Sequence, residues 1–192
     1  MQRLTPPVLR LLAQNPGKLT FQGTNVIGTG TSRILTYTSG GEPEYAALLA
    51  SALKAGGISL EYVLITHWHG DHSGGAPDLA RMYPHIKEHI YKNDPEQGQQ
   101  NILDGEIFHV EGATVTAVHA PGHSEDHMCF VLEEEKMFTS DNILGHGTNV
   151  VEGLGLYTSS LQKMAGKNCI TGHPAHGVTI DDLHAKIGRE LG

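Results

Sequence analysis

Apolar and polar residues alternate along several short stretches in the first part of the chain, and this period of two predicts β-strands. Before them, residues 8–13 form a short apolar segment that the turn sequence Asn15, Pro16 and Gly17 ends. The strand-like stretches lie at residues 19–21, 26–27 and 32–38. We expect these segments to form a meander of neighbouring strands.

Four other stretches carry apolar residues three or four positions apart, which places them on one face of a helix. The first begins at Pro43 and ends before Gly56. The four predicted helices span residues 43–55, 77–83, 156–165 and 181–191. Further strands are predicted at residues 58–65, 89–91, 107–110, 113–119, 127–133, 137–139 and 169–171. Strand meanders interrupted by helices indicate a layered α/β or α+β fold, and we expect a single domain over residues 1–192.

The densest group of polar residues follows the apolar run at residues 62–65, which is typical of a buried strand. Within six positions stand four potential metal ligands: His67, His69, Asp71 and His72. Imidazoles and carboxylates at this density suit a borderline ion such as Zn²⁺. The alternative is a polar loop whose histidines merely bond to the backbone, and the added Asp-His pair disfavours it.

Three more residues of ligand type each follow another predicted strand, namely His123, Asp141 and His176. Loops at strand ends of a layered sheet meet at one edge, so we expect all seven residues to lie together. Seven ligands are too many for one tetrahedral ion, and they fit two ions about 3.5–4 Å apart. His173 is the alternative to His176 as the last ligand.

Charge and composition argue against several classes of function. The formal net charge is −8 and no run of Lys or Arg occurs, which counts against a nucleic-acid partner. Cys129 and Cys169 form no Cys-x-x-Cys pattern. The N-terminus lacks the apolar core of a signal peptide, and no apolar run approaches the roughly 18 residues of a membrane span. We therefore expect a cytoplasmic protein that binds no membrane.

The ordered signature His-x-His-x-Asp-His, His, Asp, His resembles that of the metallo-β-lactamase superfamily and spans nearly the whole chain. The resemblance implies an αββα sandwich with two divalent metal ions at one edge, most simply Zn²⁺, with Mn²⁺ as the alternative. It assigns one ion to His67, His69 and His123, the other to Asp71, His72 and His176, and a bridging position to Asp141. The family pattern of a small residue followed by His-Gly favours His176 over His173.

Two further histidines are candidates for the substrate side of this site. His127 follows His123 in the sequence Pro-Gly-His-Ser-x-x-His, and it either supports a ligand from behind or contacts the substrate. His146 lies near Asp141 in sequence, which makes it a second candidate for substrate binding.

Four segments resemble more closely the atrochrysone carboxyl carrier-protein thioesterases and, less closely, the lactamase-β-2-like endoribonucleases. The segments are residues 12–18, 66–72, 121–130 and 141–147. The first resemblance implies hydrolysis of the thioester that joins an aromatic polyketide acid to the acyl carrier protein of a non-reducing polyketide synthase, or of a small acyl-thioester. In that chemistry the metals activate water, and Asp71 orients it and accepts its proton. Docking of an acidic carrier protein needs a positive patch, for which Arg81, Lys87 and Lys92 are candidates.

Two departures from the family pattern bear on activity. Tyr37 stands where the family carries an Asp that supports the ligands from behind, and loss of such a partner weakens metal affinity or activity roughly 10–100-fold. The chain stops at Gly192, where relatives continue, so we expect an αββα sandwich that is truncated at its C-terminus. The alternative functions are a metal-dependent endoribonuclease or phosphodiesterase of the same fold, and a metal-binding relative with impaired catalysis.

Overall fold

The computed structural model describes residues 2–5, 7–12, 23–133 and 135–192. Its first half contains β1 (Gln2–Thr5), β2 (Val8–Leu12), β3 (Gly23–Ile27), β4 (Ser32–Thr36), α1 (Pro43–Gly56), β5 (Ser59–Leu64), α2 (Gly70–Ser73), α3 (Ala76–Met82), a 3₁₀ turn (Pro84–Ile86), β6 (Ile90–Lys92) and β7 (Gln100–Asn101). Its second half contains β8 (Ile107–Val110), β9 (Ala113–His119), β10 (Met128–Leu132), β11 (Lys136–Ser140), α4 (Leu154–Ala165), β12 (Thr171–Pro174) and α5 (Leu183–Leu191).

The strands form two sheets, each of which combines antiparallel and parallel pairs. The first sheet runs β1-β2-β3-β4-β5-β6-β7. Its pairs are antiparallel as far as β4 and parallel from β4 to β7. The second sheet runs β12-β11-β10-β9-β8 and is antiparallel except for the parallel pair β11 and β12. The C-terminal ends of β5, β11 and β12 therefore deliver their following loops to one edge of the molecule.

Three apolar clusters show that these elements stack in four layers. One cluster joins the outer face of the first sheet to α1 and α3, and includes Leu35 and Leu49. A second fills the space between the sheets and includes Phe130 and Phe138. A third joins the second sheet to α4 and α5, through residues such as Leu161. The arrangement is an αββα sandwich, which confirms the expected fold class.

The predicted helices are confirmed, with shifts of one or two residues at several ends. Helix α1 stops where Gly57 adopts a left-handed conformation, with φ of 60°, a C-terminal cap that glycine accepts without steric cost. The last strand begins at Thr171, later than the predicted 169–171. The strands β1 and β7 and the one-turn helix α2 were not predicted, and β2 lies in a segment that was predicted only to be apolar. The predicted turn at residues 15–17, the predicted strand at 19–21 and Ala13 lie outside the described residues. In the part of the chain that the structure describes, no helix is long and apolar enough to cross a membrane.

Candidate metal centre

The histidine loop leaves the end of β5 and is fixed in place by backbone hydrogen bonds. Helix α2 begins directly after His69, whose carbonyl accepts the N–H groups of His72 and Ser73 at 2.9 and 3.0 Å. The N–H and the hydroxyl of Thr38 both donate to the carbonyl of His72, each at 2.9 Å. A Cβ atom at Gly75 would collide with the Thr38 carbonyl, so glycine is required for this close approach. The loop conformation is thus determined by its contacts with the end of β4.

Three imidazole nitrogens converge at the first half of the centre. Nδ1 of His69 lies 3.0 Å from Nε2 of His67 and 3.0 Å from Nε2 of His123. Ligand atoms at the corners of a tetrahedron with bonds of about 2.0–2.1 Å are about 3.3 Å apart, so the spacing is near that around Zn²⁺. The carboxylate of Asp141 approaches the same point, with Oδ2 3.6 Å from Nε2 of His123. These four residues fit a tetrahedral divalent ion.

The second half of the centre combines Asp71, His72 and His176, whose ligand atoms also lie within 4.8 Å of one another. Oδ2 of Asp71 is 3.7 Å from Nε2 of His72 and 3.5 Å from Nε2 of His176. Asp141 stands between the two halves, with Oδ2 3.4 Å from Nε2 of His72 and Oδ1 3.3 Å from Nε2 of His176. The structure therefore brings together all seven residues that the sequence pointed to, with Asp141 in the shared position.

In three of the histidines, His67, His72 and His123, the ring nitrogen that faces away from the centre contacts another polar group, which orients the ring. Nδ1 of His123 donates to the carbonyl of Val150 at 2.8 Å and leaves Nε2 with its lone pair toward the centre. Nδ1 of His67 and Nδ1 of His72 both lie at the hydroxyl of Thr66, at 3.1 and 3.0 Å. Thr66 in turn contacts Oγ of Ser140 at 3.0 Å. Thr66 thus supports one ligand from each half of the centre.

The electrostatics of the cluster leave most ligands in the state that a metal requires. Burial lowers the pKa of His67 and of His69, so both rings are neutral near pH 7. Burial alone would raise the pKa of Asp141, but the neighbouring His72 and His176 outweigh it and hold that pKa well below its usual range. His176 differs, because its hydrogen bonds to Asp141 and Asp71 outweigh burial and raise its pKa to about 9. His176 is therefore protonated at pH 7 in the metal-free protein.

Metal binding at the second half of the centre is expected to displace this proton. Because an ion can bind His176 only after the ring loses its proton, affinity there should fall about tenfold per unit as pH drops below about 9. At pH 7, one of the two Zn²⁺ equivalents should release about one proton more than the other. Calorimetric titration in buffers of different ionisation enthalpy measures this difference. A His85→Gln variant, changed outside the centre, should behave like the native chain, and equal release by both equivalents would contradict the expectation.

The other candidate histidines lie at different depths. His127 is completely buried, and its Nε2 accepts the backbone N–H of Asp141 at 3.3 Å, so it supports that ligand from behind and does not reach the surface. The predicted substrate contact of His127 is therefore wrong for this conformation. His146 is exposed next to Gly145, whose N–H donates to the carbonyl of His176 at 2.8 Å. His173 is buried against Phe138, away from the ligand cluster.

Two supporting contacts were not anticipated from the sequence. Asn142 accepts the N–H of His123 and donates to the carbonyl of Ala120, which ties the loop after β11 to the loop after β9. Lys92 forms an ion pair with Asp126 at 2.7 Å in the loop that carries His123, and both side chains are buried. Lys92 is therefore not part of a docking patch, which corrects that expectation. Arg81 and Lys87 are exposed, and Arg81 pairs with Asp78.

Comparison with known proteins identifies the family. Residues 26–153, more than half of the chain, match the model of the metallo-beta-lactamase superfamily. The chain belongs to the metallo-beta-lactamase superfamily. Solved members share its fold at low sequence identity. A metallo-beta-lactamase family protein from Thermus thermophilus is 19% identical with a TM-score of 0.78, covering 98% of this chain and 79% of that one. ETHE1 from Myxococcus xanthus is 18% identical with a TM-score of 0.76, covering 96% and 82%.

Within the superfamily, the sequence of this chain is similar to those of several fungal proteins named atrochrysone carboxyl ACP thioesterase. The protein of that name from Claviceps purpurea is 61% identical over 100% of this chain and 63% of its own length. A second, from Aspergillus aculeatus, is 58% identical over 100% of this chain and 62% of its own length. The chain thus spans about three fifths of the length of these curated relatives. The expected resemblance to this group is confirmed.

Proposed function

We propose that this superfamily member supplies the metal centre of a thioesterase that hydrolyses the bond between an aromatic polyketide acid and an acyl carrier protein. The observation that carries the proposal is the convergence of seven ligands into two adjoining groups, in a chain 54–61% identical to several proteins named for that activity. The partner is then an acyl carrier protein, or a small acyl-thioester that mimics it. The cytoplasmic location inferred from the sequence stays a prediction.

The donor set supports two Zn²⁺ ions. Three imidazole nitrogens in the first group favour Zn²⁺ over a harder cation such as Mg²⁺, while Mn²⁺ remains the alternative for the more carboxylate-rich second group. His67, His69 and His123 would hold one ion, Asp71, His72 and His176 the other, and Asp141 would bind both. Bound divalent ions lower the pKa of water toward about 7 and polarise a carbonyl oxygen.

The chain's own residues would orient and deprotonate the attacking water. Asp71 is the ligand whose carboxylate is most open to solvent, with 31% of its side chain exposed. Burial would raise the pKa of Asp71, but the bond to His176 and the nearby His72 lower it overall, so the carboxylate is ionised at neutral pH. It can therefore accept a hydrogen bond from water and take its proton. The leaving thiolate needs no strong general acid, because a free thiol has a pKa of about 8.5.

The rim of the centre offers a surface for the acyl group. Trp68 is half-exposed within the histidine loop, and its ring lies 4.5 Å from the ring of His69. An aromatic face next to the ligands suits stacking against an aromatic acyl group. His146 is exposed after β11, next to Gly145, which bonds to the carbonyl of His176, and it would provide a polar contact for the substrate. Both roles belong to the same proposal.

A panel of substrates tests the proposal against its alternatives. The Zn²⁺-loaded protein should hydrolyse an aromatic acyl-thioester, carrier-bound or as a small analogue, far faster than a lactone, a β-lactam or single-stranded RNA. Metal content is measured on the same sample. Preferential RNA cleavage would replace the proposal with the nuclease function. Two bound ions with no hydrolysis of any substrate would support the metal-binding relative with impaired catalysis.

A further inference from the structure

Three polar side chains form a row across the inner face of the first sheet. In the register of β2, β3 and β4, Arg10 stands opposite Asn25, and Asn25 stands opposite Thr36. Residues directly paired on neighbouring antiparallel strands project from the same face. Ile27 and Ile34 lie two residues away on β3 and β4 and belong to the core between the sheets. The row therefore lies inside that core.

Two more polar residues lie close to this row. His173 on β12 packs its ring against Phe138, with ring centroids 5.3 Å apart. Burial, and after it the charge of Arg10, lowers the pKa of His173 to about 4, so the ring is neutral at pH 7. Tyr37 follows Thr36 directly in sequence, is buried, and lies near Arg10 and Ser140. Below, the Arg10 cluster means Arg10, Asn25, Thr36, Tyr37 and His173.

Most side-chain polar atoms of the Arg10 cluster are buried and find no hydrogen-bond partner among the described residues. Arg10 is 7% exposed, and the other four residues are 3% exposed or less. In the part of the chain that the structure describes, the buried atoms without a partner include Nε and Nη2 of Arg10, Oδ1 and Nδ2 of Asn25, Oγ1 of Thr36, and Nδ1 and Nε2 of His173. Buried polar groups in proteins are nearly always satisfied, by protein atoms or by a bound species. So dense a group of unsatisfied atoms indicates a site for such a species.

The charge of Arg10 decides what kind of species fits. A guanidinium stays protonated in proteins, and burial of an unpaired charge costs several kcal/mol. Among the described residues no carboxylate forms an ion pair with Arg10, and residues 13–22 contain no Asp or Glu. Water would satisfy hydrogen bonds but would leave the positive charge uncompensated.

We propose that the Arg10 cluster binds a small monovalent inorganic anion, such as chloride, between the two sheets. All five side chains can donate an N–H or O–H, which is the chemistry that an anion requires. The ring of Tyr37 also packs edge-on against the ring of His72, with centroids 5.1 Å apart. The bound anion would thus hold β2, β3, β4 and β12 together directly behind a ligand of the metal centre.

Thermal unfolding at constant ionic strength tests the site. Since an anion that binds only the folded state stabilises it by mass action, replacing sodium gluconate with sodium chloride should raise the Tm of the native chain. At about a hundredfold excess over Kd the rise is roughly 5–10 °C. Bromide should act like chloride, and its anomalous scattering in a crystal should place it at Arg10. An equal Tm in chloride, bromide and gluconate would overturn the proposal.

Three variants separate this site from a general salt effect. Arg10→Met removes the charge and should abolish the chloride response. Arg33→Met changes an arginine that bonds to the carbonyl of Gly30 outside the cluster, and it should keep the response. Tyr37→Asp supplies a fixed carboxylate and should raise the Tm in gluconate while removing the chloride response. Asp also tolerates the left-handed φ of 64° at this position better than Tyr. A chloride response retained in Arg10→Met would show that the anion does not bind there.

Discussion

An Asp141→Ala variant is expected to lose most of its bound metal and to hydrolyse acyl-thioesters at least about 10³-fold more slowly than the native chain. Among the described residues, Asp141 is the one carboxylate that lies within 3.6 Å of imidazole nitrogens from both groups. These nitrogens belong to His123 in the first group and to His72 and His176 in the second. In the proposed centre the removal of Asp141 would take a ligand from both ions at once, and it would leave His176 without its principal hydrogen-bond partner. Metal analysis of the purified variant and a small-thioester assay measure the two effects.

The matched control for this variant is Asp104→Ala. Asp104 is also ion-paired, with Lys163 at 2.8 Å, but it is half-exposed and lies outside the ligand cluster. Its loss should leave metal content and hydrolysis near native values, since exposed ion pairs contribute little. If Asp141→Ala kept two ions and full activity, Asp141 would not bind both ions and the proposed centre would be wrong.

The convergence of the seven ligand-type side chains could be predicted because its main signal is local. His67, His69, Asp71 and His72 lie within six positions, so their chemistry is evident without knowledge of the fold. The distant residues could be added because each follows a strand, and strand ends meet at one edge of a layered sheet. Hydrophobic periodicity was sufficient for the helices, because α1, α4 and α5 each bury one face against a sheet.

The residues that support the ligands could not be predicted, because their roles depend on contacts between distant loops. A threonine before a histidine or an asparagine after an aspartate has no distinctive pattern, yet Thr66 and Asn142 orient ligands in the structure. His127 was left between two roles because sequence does not report depth, and its complete burial decides against substrate contact. Lys92 was assigned to the surface because lysine side chains are mostly exposed. Its burial could not be predicted, because its ion-pair partner Asp126 is distant in sequence.

The Arg10 cluster shows a related limit. The sequence indicated that Tyr37 replaces an expected Asp, and that observation concerned the metal ligands alone. Only the strand register places Arg10, Asn25 and Thr36 in one row, and only the packing of the two sheets brings His173 close to them. Tyr37 therefore lies near the buried Arg10 as well as against His72. No local sequence pattern could indicate that both residues are neighbours of Tyr37.

A Lys92→Met variant is expected to lose about 3–5 kcal/mol of unfolding free energy, because it leaves the charge of Asp126 buried and unpaired. Lys92 also donates to the carbonyls of Asn93 and Asp94 at 3.1 and 2.7 Å, and the hydroxyl of Ser124 donates to Asp126 at 2.7 Å. Because this network holds the loop that carries His123, Zn²⁺ affinity should also fall, roughly 10–100-fold. Urea unfolding of the metal-free protein and a competitive Zn²⁺ titration measure the two effects.

The ion pair between Arg81 and Asp78 provides the comparison that isolates burial as the cause. It is formed at 2.9 Å, but the Arg81 side chain is 75% exposed, so Arg81→Met should change the unfolding free energy by less than about 1 kcal/mol. Combining Lys92→Met with Asp126→Asn should recover part of the lost stability, since the second change removes the uncompensated charge. Zn²⁺ affinity should recover less than stability does, because the amide introduced by Asp126→Asn cannot restore the ion pair that joins β6 to the loop carrying His123. If Lys92→Met lowered the unfolding free energy and the Zn²⁺ affinity no more than Arg81→Met does, the buried ion pair would not be the interaction that positions His123.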